Sequence, residues 1–119
     1  MRRTVHDYFV QAMRRGRGTR CKTLVFDRDG NCAGFALEAF DGRIHTAGYR
    51  ATTCATLVAL CEHLAELALG MTLQEATSLE AQCLLALHPE IPPSRYDRAG
   101  LVVAAFRAAL ESISQGVKH

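Results

Sequence analysis

The sequence predicts an α+β domain in which a three-stranded antiparallel sheet packs against helices. Strand-like segments are confined to residues 22–50, whereas helical periodicity governs most of the chain from residue 52 onward. Strands that precede a run of helices, instead of alternating with them, are typical of α+β proteins. The 119 residues are enough for one hydrophobic core, so we expect a single domain over residues 1–119.

Local signals mark the individual elements. Asp41-Gly42 favours a tight hairpin turn, because both turn positions require positive φ. Gly70 ends one helical pattern, and Thr72 with Glu75 forms a capping box that begins the next. The predicted elements are a helix from Thr4 to about Arg14, strands at 22–27, around 35–39 and at 43–50, helices at 55–69 and from 72 to about 87, and a last helix at 98–114 with Val102, Phe106, Ala109 and Ile113 on its inner face.

Basic side chains are concentrated at the N-terminus, where residues 1–20 are expected to form a basic helix and arm. Residues 1–22 contain seven basic side chains against one acidic one, and the rest of the chain has seven against eleven. Such an arm is either solvated or binds an anionic surface, a nucleic acid or an acidic protein. Aromatic residues do not interleave with the arginines and no nucleic-acid motif accompanies them, so we do not favour nucleic-acid binding.

The apolar segments of the chain indicate its compartment. The longest ones, residues 54–61 and 101–106, are far too short to cross a bilayer, and the N-terminus lacks an apolar signal core. We therefore expect a cytoplasmic protein that does not enter a membrane. In the reducing cytosol its five cysteines are expected to be free thiols.

Three of the cysteines can be interpreted from their neighbours. Cys61 and Cys83 lie among leucines and alanines at helical spacing, so we expect both to be small side chains of the hydrophobic core. Cys54 follows Thr52-Thr53, so we expect a threonine cap and a thiol in the first turn of a helix. Unpaired N–H groups and the helix dipole favour the thiolate there, and a thiolate is what metal binding or sulfur transfer requires.

Several segments, taken in order, match a known pattern. Residues 5–16, which begin Val-His-Asp-Tyr-Phe and end in Gly, are similar to Val-x-Asp-His-Tyr-x-Asn-Pro-Arg-Asn-x-Gly. Residues 70–76, Gly-Met-Thr-Leu-Gln-Glu-Ala, resemble Gly-Lys-Thr-Leu-Asp-Glu-Ala, and residues 91–95, Ile-Pro-Pro-Ser-Arg, resemble Leu-Pro-Pro-Val-Lys. With Cys54 behind the hairpin, this order and spacing resemble the NifU/IscU-type iron–sulfur cluster scaffold family over nearly the whole chain.

The ligand positions of that family are only partly kept. The resemblance implies three cysteines and an aspartate around a transient iron–sulfur cluster, on the strand turn, at the helix start and on the last helix. Without a gap, Asp29 stands at the first cysteine, and Asp97-Arg98 stands at the histidine and cysteine of the last helix. A three-residue gap places Cys32 at the first cysteine instead, and both alignments stay open.

The remaining donors allow two kinds of site. A cluster would use Cys54 with Cys32 or Asp29, because such clusters are held mainly by thiolates. Zinc or ferrous iron would suit Cys54, Asp29 and Asp97, because carboxylates are hard ligands. Arg98 would repel a metal and lower the pKa of Cys54, which favours a reactive thiolate over a stable cluster cage.

The resemblance implies a function in iron–sulfur cluster assembly. We expect a scaffold-like protein, not an independent enzyme, that handles iron or persulfide sulfur through Cys54. The alternative is a divergent member that assembles no cluster and acts as a binding or regulatory module. The family's partners are a cysteine desulfurase, which would meet the basic arm, and an Hsp70-type chaperone, which would bind Ile91, Pro92, Pro93, Ser94 and Arg95.

Overall fold

The three strands and the helices that cover them define an α+β domain, as predicted. The structure is a computed structural model that describes residues 2–16, 20–52 and 54–116, with side chains as far as Ile113. A single 3-10 turn, Pro93–Arg95, precedes the last helix. The elements are α1 (Val5–Arg15), β1 (Val25–Phe26), β2 (Cys32–Phe40), β3 (Arg43–Ala51), α2 (Ala55–Ala68), α3 (Leu73–Thr77), α4 (Ala81–Leu87) and α5 (Tyr96–Gly116).

The sheet is a long hairpin with a short third strand at its edge. Its order is β1-β2-β3 with antiparallel pairing, and the Asp41-Gly42 turn has the predicted positive φ values of 56° and 77°. β1 has two residues instead of the six predicted at 22–27. The chain before it lies against Gly34, where a Cβ would stand 2.5 Å from the carbonyl oxygen of Thr23. That segment therefore passes over the sheet instead of extending the ladder.

One face of the sheet forms the core with α2 and α5. Phe35 lies opposite Tyr49 on β3, and its ring meets the edge of Phe106 on α5 at 5.4 Å. Phe106 and Val102 are fully buried, as predicted for the inner face of the last helix, whereas Ala109 and Ile113 are only half-buried. Cys61 is also buried, as expected.

The predicted helix from residue 72 to about 87 is interrupted. Its capping box is confirmed, because the Glu75 N–H donates to Thr72 Oγ1 at 3.0 Å and Glu75 Oε1 accepts from the Thr72 N–H at 2.8 Å. The helix ends after one turn because the hydroxyls of Thr77 and Ser78 donate to helix carbonyls, each at 2.8 Å. α4 starts afresh with Leu84 facing the core, so Cys83 is exposed and the prediction that it is a core residue was wrong.

Arginines in the first helix and just before it form ion pairs with the rest of the domain. Arg2 pairs with Glu90 at 2.7 Å, and Arg3 pairs with Glu66 on α2 at 3.3 Å. Arg15 pairs at 2.8 Å with Glu62, which is also on α2. Part of the predicted basic arm is thus neutralised within the chain, and residues 17–19 of that arm lie outside the described residues. Through the described ranges, no helix has the length and apolar character required to traverse a membrane.

Candidate functional site

Cys54 begins α2 as its N-cap residue, and is not in the first turn as predicted. Its backbone is extended, with φ −115° and ψ 120°, and its carbonyl oxygen accepts the Val58 N–H at 2.9 Å. Thr52 does not cap the helix, because it belongs to the end of the sheet. Its N–H donates to the Cys32 carbonyl oxygen at 3.0 Å, and its hydroxyl accepts the Cys32 N–H at 3.1 Å. Thr53, the other candidate cap, lies outside the described residues.

The surroundings of Cys54 favour its ionised form. Partial burial raises the pKa of the thiol, but the backbone N–H of Leu57 and the guanidinium of Arg98 lower it by more. The Thr56 N–H acts in the same direction. Although the sulfur makes no strict capping hydrogen bond, it faces the free N–H groups of the helix N-terminus. The net pKa of Cys54 lies below that of an ordinary cysteine, as the sequence predicted.

Arg98 supplies the positive charge beside this sulfur. It is the third residue of α5, and only 12% of its side chain is exposed. Its Nη1 donates to Asp97 Oδ2 at 2.7 Å, and its buried Nε has no hydrogen-bond partner among the described atoms. One guanidinium thus stands between a thiol and a carboxylate, which fits the expectation that Arg98 favours a thiolate.

Three carboxylates gather next to this arginine. Asp27, Asp29 and Asp97 have carboxylate oxygens that all lie within 4.8 Å of one another. The structure therefore brings together the predicted Asp29 and Asp97, and it adds Asp27, which the sequence analysis missed. In the part of the chain that the structure describes, no other group of three metal-type donors is so close, and Cys54 is not a member of this one.

Asp27 is placed by the turn that follows β1. Its Oδ1 accepts the N–H groups of Asp29 and Asn31, each at 2.9 Å, and Arg98 lies near enough to act on its charge. Desolvation raises the pKa of Asp27, but these donors lower it by more, so its carboxylate is ionised at neutral pH. The sequence signal that could have identified Asp27 was its place at the start of an Asx turn, two residues before Asp29.

The other predicted site residues are divided between core and surface. Cys32 is half-buried at the start of β2 and is joined to Thr52 through the backbone, outside the carboxylate group. Ile91 is buried in the core. The rest of the predicted chaperone segment, residues 92–95, is exposed.

These residues do not form a thiolate cage. Cys54 has the Arg98 guanidinium beside it, which ligates no metal, and the described group of metal-type donors consists of carboxylate oxygens, which are hard ligands. A sulfur-bridged iron cluster requires several soft ligands. The arrangement suits a nucleophilic thiolate beside a carboxylate group better than it suits a stably bound cluster.

Comparison with known proteins places the architecture in a class. The crystal structure of a nitrogen-fixing NifU-like protein (N-terminal) from Brucella abortus superimposes with a TM-score of 0.62 over 84% of each chain, at 16% sequence identity. No profile of a known family and no curated protein matches the sequence. The likeness confirms the predicted fold and agrees with the sequence resemblance at that level.

Proposed function

We propose that this chain handles sulfur and iron in iron–sulfur cluster assembly, with Cys54 as the sulfur acceptor. The observation that carries the proposal is the Cys54 thiol at the start of α2, whose pKa is lowered by helix N–H groups and by Arg98. The NifU-like fold and the motif order of the sequence support the same assignment. The function requires a thiolate that a second protein can reach, and Cys54 is half-buried, not sealed in the core.

The proposed sulfur transfer is an exchange between a thiolate and a persulfide. The Cys54 thiolate attacks the outer sulfur of a donor persulfide, R–S–SH. A new S–S bond forms on Cys54, the donor S–S bond breaks, and the donor leaves as its thiolate R–S⁻. No net oxidation or reduction occurs. The Arg98 guanidinium stabilises the anion on either side of this exchange, because it stays protonated throughout.

The iron part of the proposal uses the carboxylate group. Asp29 and Asp97, together with Asp27, would hold ferrous iron or zinc as cargo through oxygen atoms. Cys54 would meet this site through Arg98, which adjoins the thiol and pairs with Asp97. Cys32 is the residue that would complete the site if the chain follows the gapped alignment. Partners are part of the same proposal: a cysteine desulfurase as the sulfur donor, and an Hsp70-type chaperone at the exposed residues 92–95.

A pair of serine variants tests Cys54 as the acceptor. The wild-type chain, given a limiting amount of a small-molecule persulfide, is expected to gain the mass of one sulfur atom on Cys54. Cys54→Ser should lose this loading, because serine is not ionised at neutral pH. Cys83→Ser should keep it, because this change leaves Cys54 and the Arg98 guanidinium beside it in place. Peptide mass spectrometry locates the added sulfur, and equal loading of the two variants would refute the proposal.

A second candidate function is favoured by the arginine in the site. Arg98 pairs with Asp97 and adjoins Cys54, so a cation already occupies the place where a metal would need free donors. A chain with this site would be a binding or regulatory module that keeps the fold and assembles no cluster. On this reading, wild-type protein incubated anaerobically with ferrous iron and sulfide stays colourless. A cluster bound one-to-one, with its visible absorbance, would contradict it.

A further inference from the structure

Two buried histidines lie in direct contact beneath the first helix. His63 is on α2 and His88 follows α4, and they are 9% and 1% exposed. Their Nδ1 and Nε2 atoms, respectively, are 2.7 Å apart, and His88 Nδ1 lies 3.3 Å from Glu90 Oε2. Together they form one hydrogen-bonded row, Glu90, His88 and His63.

The direction of the hydrogen bonds in this row follows from the carboxylate. An ionised Glu90 only accepts, so the Nδ1–H of His88 donates to it. A neutral His88 then has a lone pair on Nε2, which accepts the Nδ1–H of His63. The row is therefore satisfied when both imidazoles are neutral. One added proton places a full charge in a site that water barely reaches.

The first half of α1 rests on this His63–His88 pair. The ring of Tyr8 stacks on His63 with centroids 4.1 Å apart, and it meets His88 edge-on at 5.7 Å. The same Glu90 carboxylate that binds His88 accepts the Val5 N–H at 2.7 Å. The guanidinium of Arg3 lies 4.1 Å from the Tyr8 ring centroid. The start of α1 thus contacts the rest of the chain at these two imidazoles as well as at Glu90 and Glu66.

The second half of α1 is held by a different group. Glu62 accepts hydrogen bonds from Gln11 and Arg15, with donor distances of 2.8 to 3.0 Å. Desolvation raises the pKa of Glu62, but Arg15, Gln11 and Tyr49 lower it by more. This carboxylate stays ionised in mildly acidic solution. The two halves of one helix therefore depend on groups that titrate in different pH ranges.

We propose that the His63–His88 pair is a proton-sensitive contact that holds the first half of α1, so that mild acid releases residues 2–8 while residues 11–15 stay docked. Release frees Arg2 and Arg3 from Glu90 and Glu66, and exposes part of the basic arm that the neutral-pH structure pairs internally. Protonation of the His63–His88 pair would thus make Arg2 and Arg3 available to other molecules without unfolding the domain.

The expected pH range follows from the charges around the pair. Burial lowers the pKa of both histidines below the ordinary 6.5, and Arg3 and Arg2 lower it further. Glu66 faces His63 and Glu90 faces His88, and both act in the opposite direction without cancelling the shift. The released state binds protons first, so docking loses stability as pH falls below 6.5. Glu62, whose pKa lies below 4.5, weakens only under more acidic conditions.

Amide hydrogen exchange at pH 7.5 and 5.5 tests this proposal. After correction for the intrinsic pH dependence of exchange, the Val5 and Tyr8 amides should lose protection at pH 5.5, because the released state binds protons more tightly than the docked state. The Gly16 amide, which donates to the Ala12 carbonyl at 3.2 Å, should keep its protection. The Ile44 amide in the hairpin should also keep it. Equal losses at all four amides, or none at Val5 and Tyr8, would overturn the proposal.

Variants separate the pair from other histidines. The double variant His63→Gln/His88→Gln does not titrate in this range, so Val5 and Tyr8 should exchange alike at both pH values. His6→Gln, which removes an exposed histidine on the same helix, should leave the wild-type pH dependence intact. A pH effect that survives the double variant contradicts the proposal. Should that variant fail to fold, NMR titration of the two imidazoles in the wild-type protein tests the proposal instead. Titration midpoints at or above pH 6.5 would refute the proposal. Midpoints at a pH different from the one at which the Val5 and Tyr8 amides lose protection would also refute it.

Discussion

Replacing Glu62 by glutamine is expected to destabilise the protein by about 3 kcal/mol, because it removes a buried carboxylate that binds three neighbours. Only 3% of the Glu62 side chain is exposed. It accepts from Tyr49 Oη at 2.7 Å, from Gln11 at 2.8 Å and from two nitrogens of Arg15 at 2.8 and 3.0 Å. In the variant, Arg15 can be solvated instead, because more than half of its side chain is already exposed. Most of the lost stability therefore comes from the hydrogen bonds of the buried Tyr49 and of Gln11.

The matched control lies one helical turn away. Glu66 also accepts hydrogen bonds from Tyr8 on α1 and from Arg3 just before it, but nearly half of the Glu66 side chain is exposed. Glu66→Gln should cost less than about 1 kcal/mol in urea unfolding at pH 7.5. The contribution of Glu62 is present above its unfolded pKa of 4.5 and is lost as pH falls through the lower folded value. Equal costs for the two variants would show that Glu62 does not anchor α1.

The double variant Asp29→Cys/Arg98→Cys is expected to gain a bound [2Fe–2S] cluster on anaerobic reconstitution. It removes the guanidinium next to Cys54 and supplies two soft thiolates at positions that the ungapped alignment assigns to ligands. Asp97 and Asp27 remain as neighbouring carboxylates. The measurement is visible absorbance together with iron and sulfide content, and the expected change is from no cluster to about one per chain.

Three further variants make this result specific. Adding Cys54→Ser to the double variant should abolish the cluster, whereas adding Cys83→Ser should not. If the gapped alignment is correct, adding Cys32→Ser should abolish it as well, which decides between Asp29 and Cys32. A double variant that is folded by circular dichroism and still colourless would show that these positions do not converge on one metal site.

Local chemistry explains which parts of the fold could be predicted. The helix start at Thr4, the capping box at Thr72 and the Asp41-Gly42 turn involve groups at most three residues apart, and all three form as expected. The helix from residue 72 was predicted too long, because periodicity does not show that the hydroxyls of Thr77 and Ser78 bind helix carbonyls. The short β1 depends on how a neighbouring segment crosses Gly34, which no local pattern encodes.

The candidate site was predictable to a similar extent. Cys54 was identified from its place at a helix start, and its proximity to Arg98 came from the family resemblance. Asp27 was missed because its side chain joins the group through a turn that the sequence showed only as a run of polar residues. The His63–His88 contact joins residues 25 positions apart without a motif, so only the folded structure reveals it.

The pairing of α1 with distant carboxylates also constrains the order of folding. Arg15 and Glu62 are 47 residues apart, and Arg2 and Glu90 are 88 residues apart. An isolated helix of 11 residues is marginal in water, so α1 gains little stability before its partners exist. On the ribosome it is synthesised ahead of every carboxylate that it binds. Helix α1 is therefore among the last of the described elements to reach its native position, and a growing chain that stops before residue 90 leaves it open to proteolysis.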